Sequence, residues 1–259
     1  MRQDEVTAIL CRSFGAVAGE YDRLRPGPSN EALEWLLPRA ATDVLELGAG
    51  TGILTRLLAE RVQHVVAVEP DERMRAVLSE RATGVEVLAG SAEQIPAGDE
   101  SVDAVFAASA WHWVEEEKAV PEVARVLRPG GRLALVWSGP NRSIGWMREL
   151  WAGGIVFSPE EQASIDERRP GRHAVNVGTH GEGPFLEPEI RLFTWTQPMS
   201  PEDLVALSTT YSAVITMDED ERRRHLDAMR HYLETSAPSA ARDWIDVPMR
   251  SYCWRATKR

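Results

Sequence analysis

The chain has 259 residues, 43% of them hydrophobic, and a formal net charge of −11. This composition suits one large α/β domain and argues against an intrinsically disordered chain. Basic residues are mixed with acidic ones and form no run, which disfavours a nucleic-acid partner. No segment is apolar for long enough to cross a bilayer, and the N-terminal residues lack the apolar run of a signal peptide.

The two cysteines, Cys11 and Cys253, lie near opposite ends of the chain. Their spacing matches neither a metal site nor a disulfide framework. We interpret them as reduced thiols and predict a cytoplasmic monomer or homodimer without a bound metal. A disulfide that joins the two termini is the alternative.

Hydrophobic periodicity and Pro/Gly signals predict that strands and helices alternate through the first half of the chain. The predicted elements are helices at 4–18 and 29–38 around a Pro/Gly-rich connection at 21–28, strand 43–47, helix 51–61, strand 65–68, helix 71–81, strands 85–88 and 102–107, a helix from Pro121 to about Leu127, and strand 133–137. The continuous apolar character of these strands indicates burial on both faces. We therefore predict a doubly wound, Rossmann-like α/β fold.

The regular alternation of predicted strands and helices ends after Pro140. The predicted elements are helix 143–151, a mobile connection at 170–184, antiparallel strand 190–196, helices 200–213 and 218–234, and a last strand at 247–256. We expect the late strands to complete a mostly parallel seven-stranded sheet, and the helices to cap its carboxyl edge. This divides the chain into a core with N-terminal lid helices, 1–140, and a cap and acceptor region, 141–259.

A glycine loop follows the first predicted strand, with the sequence Glu46-Leu47-Gly48-Ala49-Gly50-Thr51-Gly52. Ligands of parallel sheets bind beyond the carboxyl ends of the strands, and glycine lets a ligand approach the backbone closely. The spacing differs from that of dinucleotide enzymes, because Ile53 stands where their third glycine would fall. Glu69 ends the second strand, where its carboxylate can accept both hydroxyls of a ribose. A purely structural turn and a surface carboxylate are the alternatives.

Together with three further segments, this loop resembles the class I S-adenosylmethionine (SAM)-dependent methyltransferases. The further segments are Val68-Glu69-Pro70, the stretch 90–96 after the third strand, and the Pro129-Gly130-Gly131 turn before the fifth. Four elements in the expected order cover about residues 20–138. The resemblance implies SAM as cofactor and S-adenosylhomocysteine as product.

The resemblance also implies the role of individual residues. Glu69 would hold the ribose, Pro70 and Met74 would flank the adenine, and Tyr21 and Arg25 would close over the cofactor. Many relatives have Asp where Ser91 stands, so the adenine would depend more on the backbone of Ala92 and Glu93. The full predicted set is Tyr21, Arg25, Glu46, Gly48, Ala49, Gly50, Gly52, Glu69, Pro70, Met74, Ser91, Ala92, Glu93, Ala108 and Ser109.

The segment Ser109-Ala110-Trp111-His112-Trp113 follows the fourth strand and should line the substrate pocket. It resembles the His-Trp stretch of a small-molecule branch that includes trans-aconitate methyltransferase. Trp111 and Trp113 would form an aromatic wall, which favours a sulfonium cation. His112 is the candidate general base. The alternative, which we prefer, is that His112 only fixes the loop.

We therefore predict methyl transfer from SAM to an oxygen or nitrogen atom of a small molecule, either a small carboxylic acid or a secondary metabolite. Arg142, Arg148, Arg172 and His173 would suit a carboxylate acceptor, although surface charge is the simpler interpretation for each. One alternative is an NAD(P)-dependent oxidoreductase of similar fold. The other is a non-catalytic SAM-binding module, for which the cavity beside His112 would be filled.

Overall fold

The computed structural model describes residues 18–153, 175, 183–236 and 243–259. The strands are β1 (Asp43–Leu47), β2 (His64–Val68), β3 (Glu86–Leu88), β4 (Val102–Ala108), β5 (Leu127–Pro140), β6 (Glu189–Met199) and β7 (Ile245–Thr257). The α-helices are α1 (Ala18–Leu24), α2 (Asn30–Leu36), α3 (Ile53–Ala59), α4 (Glu72–Arg81), α5 (Glu116–Val126), α6 (Gly145–Trp151), α7 (Pro201–Ser208), α8 (Ser212–Ile215) and α9 (Glu219–Thr235), and Trp111–Trp113 form a 3-10 turn.

The seven strands form one sheet in the order β3-β2-β1-β4-β5-β7-β6. The first five are parallel to one another, while β7 pairs antiparallel with both β5 and β6. Apolar side chains bury both faces of the central strands, as their continuous hydrophobicity predicts. The predicted α/β, Rossmann-like fold with a mostly parallel seven-stranded sheet is thus confirmed.

The strand order reverses between β1 and β4, because the chain moves outward to β3 and then returns to the other side of β1. At such a switch point the connections leave in opposite directions, and a crevice opens beyond the carboxyl ends of the two strands. The glycine loop after β1 and the 3-10 turn after β4 both lie at this crevice. The topology therefore determines where the site lies.

A second hydrophobic cluster joins the late helices to the rest of the molecule. Its buried residues come from α1, α6, α7, α9 and the antiparallel strands: Leu24, Met147, Leu150, Met199, Leu204, Val205, Leu207, Met229, Tyr232, Leu233, Ile245, Val247 and Met249. Burial of this apolar surface is what holds the helices against the sheet. Because Leu24 belongs to the cluster, α1 packs with the late helices. We call α6–α9 the cap.

The prediction that a helix starts at Pro121 is wrong. Helix α5 starts at Glu116 and carries Pro121 in its interior. The buried residues Ala119, Val120 and Val123 lie on both sides of the proline and form one apolar stripe. Packing of this stripe outweighs the hydrogen bond that proline cannot donate.

The N-terminal prediction also needs correction, because α1 occupies residues that were expected to form an irregular connection. Ala18 and Leu24 are buried in this helix, and the Pro/Gly content of the following residues obscured its signal. The predicted helix at 200–213 is two helices, with Thr209, Thr210 and Tyr211 between them. Most of the predicted helix at 4–18 and most of the connection at 170–184 lie outside the described residues.

Within the described ranges, no helix is long and apolar enough to span a bilayer, and no group of His, Cys, Asp or Glu could hold a metal ion. Cys253 is a buried free thiol in β7, and burial raises its pKa to about 12. Cys11 lies outside the described residues.

Candidate functional site

A cavity of about 420 Å³ lies at the carboxyl ends of β1, β2, β4 and β5. The α7–α8 connection contributes Tyr211 to its lining. The predicted residues that line the cavity are Tyr21, Arg25, Gly48, Gly50, Glu69, Pro70, Met74, Ser91, Ala92, Glu93, Ala108, Ser109, His112 and Trp113. The structure therefore brings residues from widely separated segments to one place.

Four of the predicted residues do not line this cavity. Glu46 is buried beneath the loop, where it accepts a hydrogen bond from Thr55. Ala49 is buried in a small core cluster, and Gly52 faces the side chain of Leu78. Trp111 is buried in the main core, and its indole N–H donates to Glu116. Trp111 therefore does not form the predicted aromatic wall.

The glycine loop takes a backbone conformation that L side chains rarely adopt. Gly48, Gly50 and Gly52 have φ angles of +61°, +59° and +86°. A Cβ atom built on Gly52 would lie 2.4 Å from Cδ1 of Leu78, whereas one built on Gly50 would meet no protein atom within 4 Å. Gly52 therefore allows α3 and α4 to pack closely, and Gly50 leaves its backbone open to the cavity.

Glu69 holds the loop from the end of β2. Its Oε2 accepts the N–H of Gly50 at 2.8 Å, and its Oε1 accepts the N–H of Asp71 at 2.9 Å. The side chain is buried, and this burial raises the pKa of the carboxyl, while the two backbone hydrogen bonds lower it. A carboxylate has about four lone pairs, so each oxygen can accept one more hydrogen bond from a ligand.

Glu46 is a second buried carboxyl group close to this loop. The Oγ1 hydroxyl of Thr55 donates to its Oε2 at 2.5 Å. Burial raises the pKa of Glu46, the Thr55 hydrogen bond and Arg56 oppose the shift, and the nearby Glu69 adds to it, so that the pKa is about 8. The protonated form of Glu46 is therefore favoured at neutral pH.

The loop that carries Ser91, Ala92 and Glu93 is fixed by α5. Glu93 Oε1 accepts the N–H of Glu115 at 2.9 Å. The next residues are held by Glu122 and Arg125, which bind the backbone of Ile95 and Ala97. This segment is therefore preorganised at the edge of the cavity.

Another part of the cavity lining is aromatic. The ring of His112 lies 4.6 Å from the ring of Trp113, centroid to centroid. The indole Nε1–H of Trp137 donates to Nδ1 of His112 at 3.2 Å. Ser109 has a φ angle of +51°, an uncommon conformation that occurs here at the end of β4. We call His112, Trp113, Trp137 and Tyr211 the aromatic side, and Gly48, Gly50, Glu69 and Met74 the loop side.

Sequence reasoning missed several residues of the lining: Leu47, Ala107, Val114, Trp137, Ser138, Tyr211 and Ser212. Trp137 could have been found, because it lies near the carboxyl end of a parallel strand beside β4. Tyr211 carried no such signal, since only packing of the cap brings it to the cavity. Trp137 takes the place in the wall that was predicted for Trp111.

Arg25 connects α1 to the cap. Its Nε donates to Oγ1 of Thr210 at 3.0 Å and its Nη2 donates to the Thr210 carbonyl at 2.9 Å. The guanidinium carbon lies 3.7 Å from the ring centroid of Tyr211 and 5.0 Å from that of Tyr21, which permits cation–π attraction. Arg142 stacks over Trp151 and Tyr211 outside the lining, while Arg172 and His173 lie outside the described residues.

Residues 45–135 match a family model described as a methyltransferase domain. The chain is 42% identical to an uncharacterized methyltransferase of Mycobacterium tuberculosis over 95% of each chain. It is 39% identical to a malonyl-[acyl-carrier protein] O-methyltransferase of Methylococcus capsulatus over 54% of each chain. A solved structure named as a type II methyltransferase of Anaeromyxobacter dehalogenans has a TM-score of 0.61 at 25% identity, covering 90% of this chain and 97% of that one.

The chain belongs to the class I SAM-dependent methyltransferases and is an enzyme of that family. The full-length similarity extends through the cap as well as the sheet, so the family assignment does not depend on the glycine loop alone. The narrower resemblance to the branch of trans-aconitate methyltransferase stays a prediction.

Proposed function

We propose that this cavity binds SAM and directs its methyl group to an oxygen or nitrogen atom of a small molecule. The observation that carries the proposal is the pairing of Gly50 with Glu69. The Gly50 backbone faces open space, and the buried carboxylate beside it keeps lone pairs for a ligand. Such a carboxylate can accept hydrogen bonds from two neighbouring hydroxyl groups, such as those of a ribose.

The chemistry of the other lining residues fits the same cofactor. Met74 and Pro70 offer apolar contacts for the adenine ring, and Ser91 can accept one hydrogen bond from the adenine amino group. Tyr21 and Arg25 also line the cavity, and we propose that they close over the cofactor. SAM, when bound, supplies a methyl group on a positively charged sulfur.

The chain itself supplies position and aromatic surface. Trp113 and Trp137 present aromatic faces, which attract a cation and exclude water. The cap contributes Tyr211 to the lining, and the guanidinium of Arg25 stacks on its ring. Alignment of two reactants in such a site provides most of the acceleration in a displacement reaction.

We further propose that the acceptor is a small carboxylic acid or a secondary metabolite. The relative from Methylococcus capsulatus is named for methylation of an oxygen atom on a malonyl group, which supports an oxygen acceptor here. The cavity extends continuously from Gly50 and Glu69 to His112 and Trp137. An open, lined cavity favours catalysis over the alternative of a non-catalytic binding module.

Isothermal titration of the purified protein with SAM, S-adenosylhomocysteine and NAD(H) tests the cofactor. We expect binding of the two adenosyl ligands in the micromolar range, about −8 kcal/mol, and none of NAD(H). Binding of NAD(H) without SAM would refute the proposal. Methyl transfer from labelled SAM to panels of carboxylic acids, phenols and amines then tests the acceptor class, with denatured enzyme as the control.

A further inference from the structure

The hydrogen bond between Trp137 and His112 determines which nitrogen of the imidazole carries the proton. An indole N–H can only donate a hydrogen bond, so the Nδ1 atom that receives it must present a lone pair. The neutral ring then carries its proton on Nε2. The lone pair that a general base needs is on Nδ1 and already faces the indole.

Both partners of this hydrogen bond are held in place. Trp137 belongs to β5, where it pairs with Tyr252 of β7, and the two rings lie 6.0 Å apart. His112 belongs to the 3-10 turn, and its ring packs against Trp113. The sheet therefore aims the indole N–H, and the turn presents the imidazole to it.

We propose that His112 donates a hydrogen bond from Nε2 to the methyl acceptor, and that Trp137 is the positioning residue that fixes this tautomer. This inference rests on the proposed function of the same cavity. It replaces the general base that the sequence suggests with a donor that orients the acceptor.

The inference restricts the acceptor to one that needs no base, and an ionised carboxylate fits best. One carboxylate oxygen forms the new bond to the methyl carbon as the bond from that carbon to sulfur breaks, and the electron pair of that bond stays on sulfur. No proton moves in this step. The other carboxylate oxygen can accept from His112 Nε2–H, which holds the acceptor in line.

Nitrogen NMR of the protein labelled with ¹⁵N-histidine measures the tautomer directly. The chain has 6 histidines, and comparison with the spectrum of His112→Gln identifies the signals of His112. We expect a pyridine-type shift for Nδ1 and a pyrrole-type shift for Nε2 across the pH range of the neutral ring. The opposite tautomer would overturn the proposal.

Two further variants test whether the N–H group of Trp137, rather than the packing of its ring, fixes the tautomer of His112. Trp137→Phe keeps an aromatic ring but lacks the N–H, so His112 should populate both tautomers. Trp113→Phe also changes a ring beside His112 but leaves the indole of Trp137 in place, so the tautomer should stay fixed. An unchanged tautomer in Trp137→Phe would remove the positioning role. Thermal unfolding of each variant checks that it folds.

Turnover of an acceptor from the methyl-transfer panel gives a second, independent readout. Glutamine can donate from its amide but cannot act as a base, so His112→Gln should retain turnover within about 10-fold. A loss of about 10²–10⁴-fold would instead indicate a general base. The NMR result requires neither SAM nor an acceptor, so failure of this inference is distinguishable from failure of the proposed function.

Discussion

The loop side of the cavity is built from residues of neighbouring segments, whereas the aromatic side also takes side chains that lie far apart in the chain. Gly50 and Glu69, which hold the loop side together, are 19 residues apart. Arg25 and Thr210, which join α1 to the cap, are 185 residues apart. The loop side therefore depends on local conformation, and the aromatic side depends on how the cap packs.

This difference has a physical consequence for how each side responds to change. A left-handed glycine has no substitute that keeps its backbone angles without strain. A packed aromatic wall tolerates changes of similar shape, because its geometry is shared among many contacts. Five variants, at Gly52, Gly50, Glu46, Glu69 and Arg25, test whether the two sides differ in this way.

The largest effect on stability should come from Gly52→Ala. The left-handed backbone and the 2.4 Å approach of a Cβ atom to Leu78 together predict a loss of about 2–4 kcal/mol in unfolding free energy. Gly50→Ala has the strain without the contact and should lose about 1–2 kcal/mol. Urea unfolding measures both.

Gly145→Ala is the matched control for these variants, because Gly145 has no neighbouring atom within 4 Å of a built Cβ and no left-handed φ. Its stability should be unchanged or slightly raised. If Gly52→Ala is as stable as this control, local conformation does not govern the loop side.

The next effect is a pH dependence of stability caused by Glu46. Its pKa is raised from 4.5 to about 8 in the folded protein. The folded state therefore binds the proton of Glu46 more tightly than the unfolded state does. The stabilisation that results from this difference is fully present below pH 4.5 and is lost as the pH rises through 8. The expected loss is about 2–4 kcal/mol, and Glu46→Gln should remove it.

Urea unfolding between pH 5 and 9 measures this contribution in the wild type and in Glu46→Gln. Glu60→Gln alters an exposed carboxylate nearby in the chain and should leave the pH profile unchanged. Parallel profiles for the wild type and Glu46→Gln would show that burial does not shift the pKa of Glu46.

Glu69→Ala should weaken binding on the loop side while leaving the aromatic side intact. Loss of hydrogen bonds from a charged group predicts that SAM binding weakens by about 1.5–3 kcal/mol. Glu72→Ala is the control, since Glu72 is an exposed carboxylate in the first turn of α4. Equal affinities of the two variants for S-adenosylhomocysteine in calorimetry would remove Glu69 from the site.

The smallest effect should come from Arg25→Ala, which removes the contacts of this arginine with the cap. Two hydrogen bonds to Thr210 and stacking on Tyr211 predict a loss of about 1–2 kcal/mol. We expect faster hydrogen exchange in α7 and α8 with little change in the sheet. Arg39→Ala, which removes an exposed arginine just after α2, is the control. Unchanged hydrogen exchange in α7 and α8 would show that Arg25 does not stabilise the cap.

Most of the fold could be predicted because its signals are local. Buried strands such as β1 and β4 are continuously apolar, and glycine and proline mark their ends. Helix α5 could not be delimited, because Pro121 is a local signal for a helix start and only its packed stripe shows otherwise. The loop side was predicted from one short motif, and Glu46 and Gly52 proved to support the loop from beneath.

The amino-acid sequence by itself determined the parallel sheet, the glycine loop and the position of Glu69, because strand periodicity and left-handed glycines are properties of single segments. Tertiary structure decided the rest of the aromatic side, because only packing brings Trp137 and Tyr211 beside His112 and Trp113. Trp111 and Trp137 look alike in the sequence, yet the first is buried in the core and the second faces His112. Which of two similar side chains reaches a cavity depends on the packing of distant elements, and that packing is not a property of any one segment.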